Sequence, residues 1–285
     1  MKDKIVLITG ANAGIGKETA KELAKQGATV VMACRNMMKA RQAQLEILDE
    51  SKNPNVDLMI VDLASQASIQ TFAAKFKEKY PQLDVLINNA GVFFEDYREN
   101  DAGIEMQFAV NHLGPFILTN LLLDSLRKSP KARIINVSSN AHYRGKLQLD
   151  DLNTRKNYRK GITAYGQSKL CNVLFSLELA DRLSEEGITV NSLHPGVVNT
   201  EIGTKHTTGI AKAIWRFTKN VVAVNAEKGA ATSVYLASSP QVEKVTGRYF
   251  ENCRQRRPSS LAQNVDLAEE LWDKSVELTK GVGNW

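Results

Sequence analysis

A chain of 285 residues, 43% hydrophobic and 24% charged, has an ordinary globular balance and enough apolar material for a sizeable core. Its formal net charge of +6 is scattered among acidic residues, without the long Lys/Arg block of an electrostatic nucleic-acid footprint. The three cysteines, Cys34, Cys171 and Cys253, form no CxxC pair, which excludes a disulfide frame and a cysteine metal site and suits a reducing, cytoplasmic compartment.

Met1-Lys2-Asp3 precede the first strand-like run, and no apolar run reaches the ~18 residues of a membrane span. Neither a signal peptide nor a transmembrane anchor is therefore expected. Ile5-Val6-Leu7-Ile8 is a short buried strand, followed by a glycine-rich turn and a helix over Lys17–Gln26 that stops at Gly27. Thr29–Met32 is the second strand, Met37–Glu50 a helix, Asp57–Val61 the third strand and Ser65–Lys79 a helix. Asp84–Ile87 and Arg133–Val137 are the fourth and fifth strands, with one long helix over Gly103–Leu126 between them. A helix over Tyr165–Glu185, a strand over Ile188–Leu193, a helix over Glu227–Ala237 and a strand at Arg248–Phe250 complete the pattern. Strands apolar on both sides, alternating with helices, predict an α/β fold: a doubly wound parallel sheet of the Rossmann type. No repeat or linker breaks it, so one domain is expected over 1–285.

The first chemical signal is Thr9-Gly10-Ala11-Asn12-Ala13-Gly14-Ile15-Gly16, placed between a strand and a helix. Glycines permit a tight turn and close approach of backbone to a pyrophosphate, which then rests on the positive helix N-terminus. The spacing departs from the GxGxxG dinucleotide fingerprint, and alone it would be no more than a turn. At the end of the second strand, where an acidic residue would bind ribose hydroxyls, stand Arg35 and Asn36. An arginine there suits a 2′-phosphate, so NADP(H) is expected over NAD(H); a solvated loop arginine is the plain alternative.

The second signal is Tyr165-Gly166-Gln167-Ser168-Lys169. Residues four apart share a helix face, so phenol and ammonium can enter one site. A free phenol titrates near pH ~10, and a neighbouring cation favours phenolate, so Lys169 is expected to bring Tyr165 towards its working range. Alone, such a pair is a common surface accident.

Taken with its companions, the pair resembles the site of the short-chain dehydrogenase/reductases, and in particular of their retinol dehydrogenase-like branch. The resemblance covers nearly the whole chain. It rests on TGANAGIG at 9–16, ACRN at 33–36, Asp62-Leu63, Asn88-Asn89-Ala90-Gly91, Val110-Asn111-His112-Leu113-Gly114, Val137-Ser138-Ser139, Tyr165–Lys169 and His194-Pro195-Gly196. It implies an enzyme that interconverts a carbonyl and an alcohol. Gly10, Asn12, Ala13, Gly14, Ile15 and Gly16 would cradle the cofactor phosphates, with Arg35 and Asn36 at the adenosine end. Asp62 and Leu63 would meet the adenine, and Asn89, Ala90 and Gly91 would line the adenine–ribose side. Ser139 would bind the substrate oxygen, Tyr165 would donate the proton, and Lys169 would bind the nicotinamide ribose while tuning Tyr165. Asn111 would hold a water of the proton relay, and Pro195, Gly196 and Thr200 would position the carboxamide. Read singly, Ser139 and Asn111 are as well explained by strand-end capping and a buried helix polar group.

Two departures from the commonest members are expected: a long segment from Ser139 to Tyr165, and no hydrophobic run at the start of the sequence like the membrane anchor of many retinol dehydrogenases. The long segment is expected to form a substrate flap over about 140–164. A second segment, about 201–225, carries Lys205, Lys212, Arg216 and Lys219 beside Ile210, Ala211, Ile214, Trp215 and Phe217. It reads either as a helix packed on the domain or as a lid over an apolar substrate, with weak contact to an anionic membrane surface. Small apolar aldehydes, ketones or retinoid-like molecules are the expected substrates, and analogy allows a monomer or a homodimer. Ala33-Cys34-Arg35 and Cys171-Asn172 also resemble light-dependent protochlorophyllide reductases, although Asn88–Gly91 and the serine-to-tyrosine spacing fit the retinol branch better. A non-catalytic NADP-binding regulator is the reading from another class, and the intact Asn111, Ser139, Tyr165 and Lys169 argue against it.

Overall fold

The structure, a computed structural model, describes residues 1–196 and 226–282. Eight strands form one sheet in the order β3-β2-β1-β4-β5-β6-β7-β8. They are β1 (Ile5–Thr9), β2 (Thr29–Cys34), β3 (Val56–Ile60), β4 (Val85–Asn88), β5 (Arg133–Val137), β6 (Thr189–His194), β7 (Arg248–Glu251) and β8 (Arg254–Arg256). All pairings are parallel except β7 with β8, a short antiparallel hairpin that ends the sheet. The chain order reverses between β1 and β4, and in such sheets the crevice outside the strand C-termini at that point receives the ligand.

Alternation along the central strands divides the core into two layers. Leu7, Val31, Leu86, Ile134 and Val190 face one side, covered by α3 (Gln66–Lys79), α5 (Gly114–Arg127) and α6 (Ile162–Arg182) through Phe72, Phe76, Phe116 and Phe175. Val6, Ile8, Val30, Met32 and Ile87 face the other. They are covered by α1 (Gly14–Lys25), α2 (Met37–Ser51) and the Ala226–Ser238 helix through Ala20, Leu23, Ile47 and Leu236. Two-sided burial explains why the strand sequences are apolar throughout.

The predicted elements are found to within a few residues at most ends, with three differences. The helix expected over Gly103–Leu126 is instead α4 (Met106–Phe108), a π-helical turn over Ala109–Leu113, and α5. In the turn the Gly114 N–H reaches back to the Ala109 carbonyl. Pro115, with no N–H, cannot give the Asn111 carbonyl its usual α-helical bond. Gly114 also backs onto the strand-end loop, where a Cβ would lie 2.7 Å from the Leu63 carbonyl oxygen. The second difference is β8, three exposed residues with no apolar pattern. The third is a helix at Val265–Leu278, capped by Asn264 accepting from the Leu267 N–H at 3.1 Å, which the sequence reading left out.

Candidate active site

The glycine-rich residues Gly10, Asn12 and Ala13 form the loop from β1, and Gly14, Ile15 and Gly16 are the first residues of α1. The packing leaves no room for a side chain at Gly16: a Cβ would stand 2.4 Å from Asn89 Nδ2 and 2.5 Å from the Gly10 carbonyl oxygen. Asn89 Nδ2 donates to the Thr9 carbonyl at 2.8 Å, while Thr9 Oγ1 accepts from the N–H groups of Asn89 and Ala90, both at 3.0 Å. The β1 loop and the Asn89-Ala90-Gly91 segment after β4 are therefore fastened across the switch point. Ala13 offers α1 no capping side chain, which leaves the helix-terminal N–H groups without one of their usual protein acceptors.

Arg35 and Asn36 follow β2 on the exposed rim; Asn36 caps α2 by accepting from the Lys39 N–H at 3.0 Å. Among the described residues Arg35 has no hydrogen-bond or salt-bridge partner, so its guanidinium is available to an anion. Asp62 and Leu63 follow β3, with Asp62 Oδ1 accepting from the Ala64 N–H at 3.0 Å. Pro195 and Gly196 follow β6. Thr200 and the expected lid lie outside the described residues.

Ser138, Ser139, Tyr165 and Lys169 come together between β5 and α6. Ser138 is spent on structure, its Oγ donating to the Lys169 carbonyl at 2.6 Å. Ser139, whose Oγ accepts from the Ala141 N–H at 3.2 Å, is the member of the pair whose hydroxyl acts on the Tyr165 phenol, favouring its ionised form. Lys169 Nζ lies 5.7 Å from the Tyr165 ring centroid and donates to the Val137 carbonyl at 3.0 Å. Burial lowers the ammonium to about 8. Burial also dominates at the phenol, raising Tyr165 above its ordinary value, while the bond to Ser139 acts the other way. The expected lowering of Tyr165 by Lys169 is thus not met here: desolvation raises the phenol, Ser139 is the group that opposes the rise, and the neutral, proton-bearing form is favoured.

Asn111, fully buried in the π turn, has its side chain committed. Its Oδ1 accepts from the Val92 N–H at 2.7 Å, and its Nδ2 donates to the Val92 carbonyl and to Ser168 Oγ, both at 3.0 Å. It ties the loop after β4 to the helix that carries Tyr165. Asn88, one residue before the Asn89-Ala90-Gly91 segment, braces the sheet by donating to Thr119 Oγ1 and to Asn136 Oδ1 at 3.0 and 2.8 Å. The flap is a run of short 3₁₀ turns pinned from outside. Tyr158 donates to the Phe94 carbonyl at 3.0 Å, Arg155 pairs with Glu99, and Gln167 donates to the Leu152 carbonyl at 2.7 Å. Sequence reasoning missed Thr9, and it missed Phe93, which sets its ring edge-on to Tyr165 at 5.6 Å and forms an apolar wall of the site. No cluster of His, Cys, Asp or Glu among the described residues could hold a metal ion.

The chain matches the short chain dehydrogenase family model over residues 4–211. It is 46% identical to the human protein named retinol dehydrogenase 13, an alignment covering 96% of this chain and 84% of that one. The chain belongs to the short-chain dehydrogenase family. Within the family it falls in the retinol dehydrogenase-like branch, and it is an oxidoreductase built to bind a nicotinamide cofactor. Among solved structures, the crystal structure of an uncharacterized protein from Mycobacterium paratuberculosis matches with a TM-score of 0.78 and 34% identity over 98% of this chain and 94% of the other. A short-chain dehydrogenase from Shigella flexneri, solved in complex with NADP, matches with a TM-score of 0.70 and 25% identity over 89% and 98%. In this short-chain dehydrogenase no helix among the described residues is long and apolar enough to cross a membrane.

Proposed function

We propose that this protein is an NADP(H)-dependent alcohol dehydrogenase/carbonyl reductase acting on small apolar aldehydes or ketones, or on retinoid-like substrates. The observation that carries the reading is the convergence of three groups: the half-buried Tyr165 phenol, the Lys169 Nζ 5.7 Å from its ring on the same helix face, and Ser139 beside it at the end of β5. The residues present fit NADP(H). Lys169 uses one of its three N–H donors on Val137, which leaves donors for ribose hydroxyls, and Arg35 offers an unpaired guanidinium for a 2′-phosphate. Gly10 to Gly16, Asp62, Leu63 and Asn89 to Gly91 would hold the remainder. When bound, the cofactor supplies the hydride, and the protein supplies orientation and a proton.

Ser139 Oγ donates a hydrogen bond to the carbonyl oxygen and orients it beside the phenol. As negative charge develops on that oxygen, Tyr165 gives up its proton to form the alcohol. The Lys169 ammonium then stabilises the resulting phenolate until solvent restores the proton. Phe93, edge-on to Tyr165, presents apolar surface beside the phenol, which suits an apolar chain or ring.

The test is NADPH consumption with a panel of aldehydes and ketones. Tyr165→Phe removes only the proton donor, so NADPH binding survives while kcat falls by about 10²–10⁴-fold. A variant that kept most of its turnover would exclude Tyr165 as the acid. Tight NADPH binding without turnover of any carbonyl would instead favour the regulator. The cofactor assignment has its own check. Charge-assisted bonds contribute roughly 1.5–3 kcal/mol, so the native protein favours NADPH by about ten- to a hundredfold and Arg35→Asp erases that preference. Equal dissociation constants for NADPH and NADH in the native protein would remove the NADP assignment.

A further inference from the structure

Two histidines that the proposed chemistry does not use stand on either side of one peptide group in the site. The carbonyl of Ser139 and the N–H of Asn140 belong to the same peptide plane. His142 Nδ1 lies 2.7 Å from that carbonyl oxygen, and the His142 backbone N–H reaches it at 3.1 Å. The Asn140 N–H donates to His194 Nδ1 at 3.3 Å. Both imidazoles are buried, at 0% and 4% exposure, so water does not compete for these bonds.

The partners dictate the tautomers. A carbonyl oxygen only accepts, so His142 must carry its proton on Nδ1. Its Nε2 is then a lone pair, and the Ser259 N–H donates to it at 3.2 Å. A backbone N–H only donates, so His194 must present a lone pair at Nδ1 and carry its proton on Nε2. The same two residues are thus required in opposite tautomers, and protonation of either ring would place a donor against a donor. The His142 ring is further fixed between Tyr143 and Tyr249, at centroid distances of 4.0 and 4.8 Å, and Tyr143 Oη donates to the Arg257 carbonyl at 2.8 Å.

We infer that His142 and His194 are a pair of positioning residues that clamp the Ser139–Asn140 peptide from both ends and so aim the Ser139 hydroxyl at Tyr165. The clamp fixes ψ of Ser139 and the plane that follows it, and with them the direction of the Cα–Cβ bond from which Oγ hangs. It also joins three distant parts of the chain at the site: the turn after β5, the end of β6 just before Pro195-Gly196, and the Arg257–Ser259 segment that leads to the C-terminal helix. The kinetic part of this inference rests on the carbonyl reductase reading; the tautomer part does not.

The first measurement is a long-range ¹H–¹⁵N correlation spectrum of the native protein, which has four histidines and reports the tautomer of each ring directly. The expected result is Nδ1–H for His142 and Nε2–H for His194 at neutral pH. The reverse tautomer or an imidazolium at either residue overturns the clamp, whether or not the protein turns over any carbonyl. The second measurement is steady-state kinetics of His142→Asn and His142→Phe. Asparagine places an amide donor near the Nδ1 position, whereas phenylalanine keeps the ring and has no donor. Displacing a catalytic group by about an ångström can cost ~10²-fold in rate, so His142→Phe should lose kcat on that order with KM and NADPH affinity held. His142→Asn should restore most of the loss. Equal kcat in the two variants, or losses that appear in KM and NADPH affinity instead, would show that His142 only fills space.

Discussion

Lys169 has one hydrogen-bond acceptor among the described residues, the Val137 carbonyl, and burial brings its ammonium down from 10.5 to about 8. The folded state therefore resists protonation that the unfolded chain accepts. Between about pH 8 and pH 10.5 the unfolded chain binds more protons, so stability rises with pH across that window; below it the cost of the buried charge is constant. Under the proposed function this cost has a use, since the unfilled donors are those a ribose would take. Lys169→Met fills a similar volume without the charge. At pH 7, in the absence of cofactor, it should melt above the native protein by a few degrees, equivalent to about 1–3 kcal/mol, while NADPH binding and turnover are lost. The difference in melting temperature should shrink as the pH approaches 10. A variant that melts lower than the native protein at pH 7 would mean that the ammonium is satisfied in the fold. At this scale the sequence was informative about identity and less so about state. The placing of Tyr165 and Lys169 on one helix face followed from their spacing, whereas the choice of Ser139 over Ser138 came from the family resemblance. The rise of the Tyr165 pKa was not legible, because it depends on how much chain packs over the phenol.

Among elements, the sheet was readable because every central strand is covered on both faces, and two-sided burial leaves a run of apolar residues that no helix period mimics over so short a length. The stretch after Gly103 was misread for a related reason. A π turn inserts one residue into a helix and barely disturbs the apolar rhythm, so Val110, Leu113 and Ile117 look continuous across it. The signal that was present is Gly114-Pro115, a residue with no Cβ followed by one with no N–H. The Val265–Leu278 helix also left its mark, with Asn264 as cap and Ala268, Leu271, Trp272 and Ser275 at helical spacing. β8 left none, because all three of its residues are exposed. The anchoring of the flap and the histidine clamp were beyond reach for a different cause. Tyr158 bonds to the Phe94 carbonyl across 64 positions, and His142 meets Ser259 across 117. No local pattern encodes such pairings; they exist only once β4, β5, β6 and the C-terminal segment are brought together by the sheet.

At the scale of the whole molecule, the C-terminal helix decides which apolar faces remain open. The Val265–Leu278 helix packs against α6, the helix that carries Tyr165. Trp272 is its anchor, 3% exposed, with its ring 5.0 Å from Phe116 on α5 and 6.0 Å from Phe175 on α6. The Arg182 guanidinium covers the same ring at 4.3 Å. An apolar face already covered in this way has little left to offer a second copy, so the native protein should run as a monomer in light scattering. Replacing a buried tryptophan by alanine costs about 3–5 kcal/mol, and at roughly 2–4 °C per kcal/mol for a chain of this size Trp272→Ala should melt about 6–20 °C lower. The vacated space lies against Phe116 and Phe175, so the variant should also self-associate as its concentration rises. Since the segment before this helix supplies the Ser259 N–H to His142, loosening it should lower kcat before it lowers NADPH affinity. A native dimer at micromolar concentration, or a Trp272→Ala variant that melts with the native protein, would show that the helix lies on the surface without sealing it.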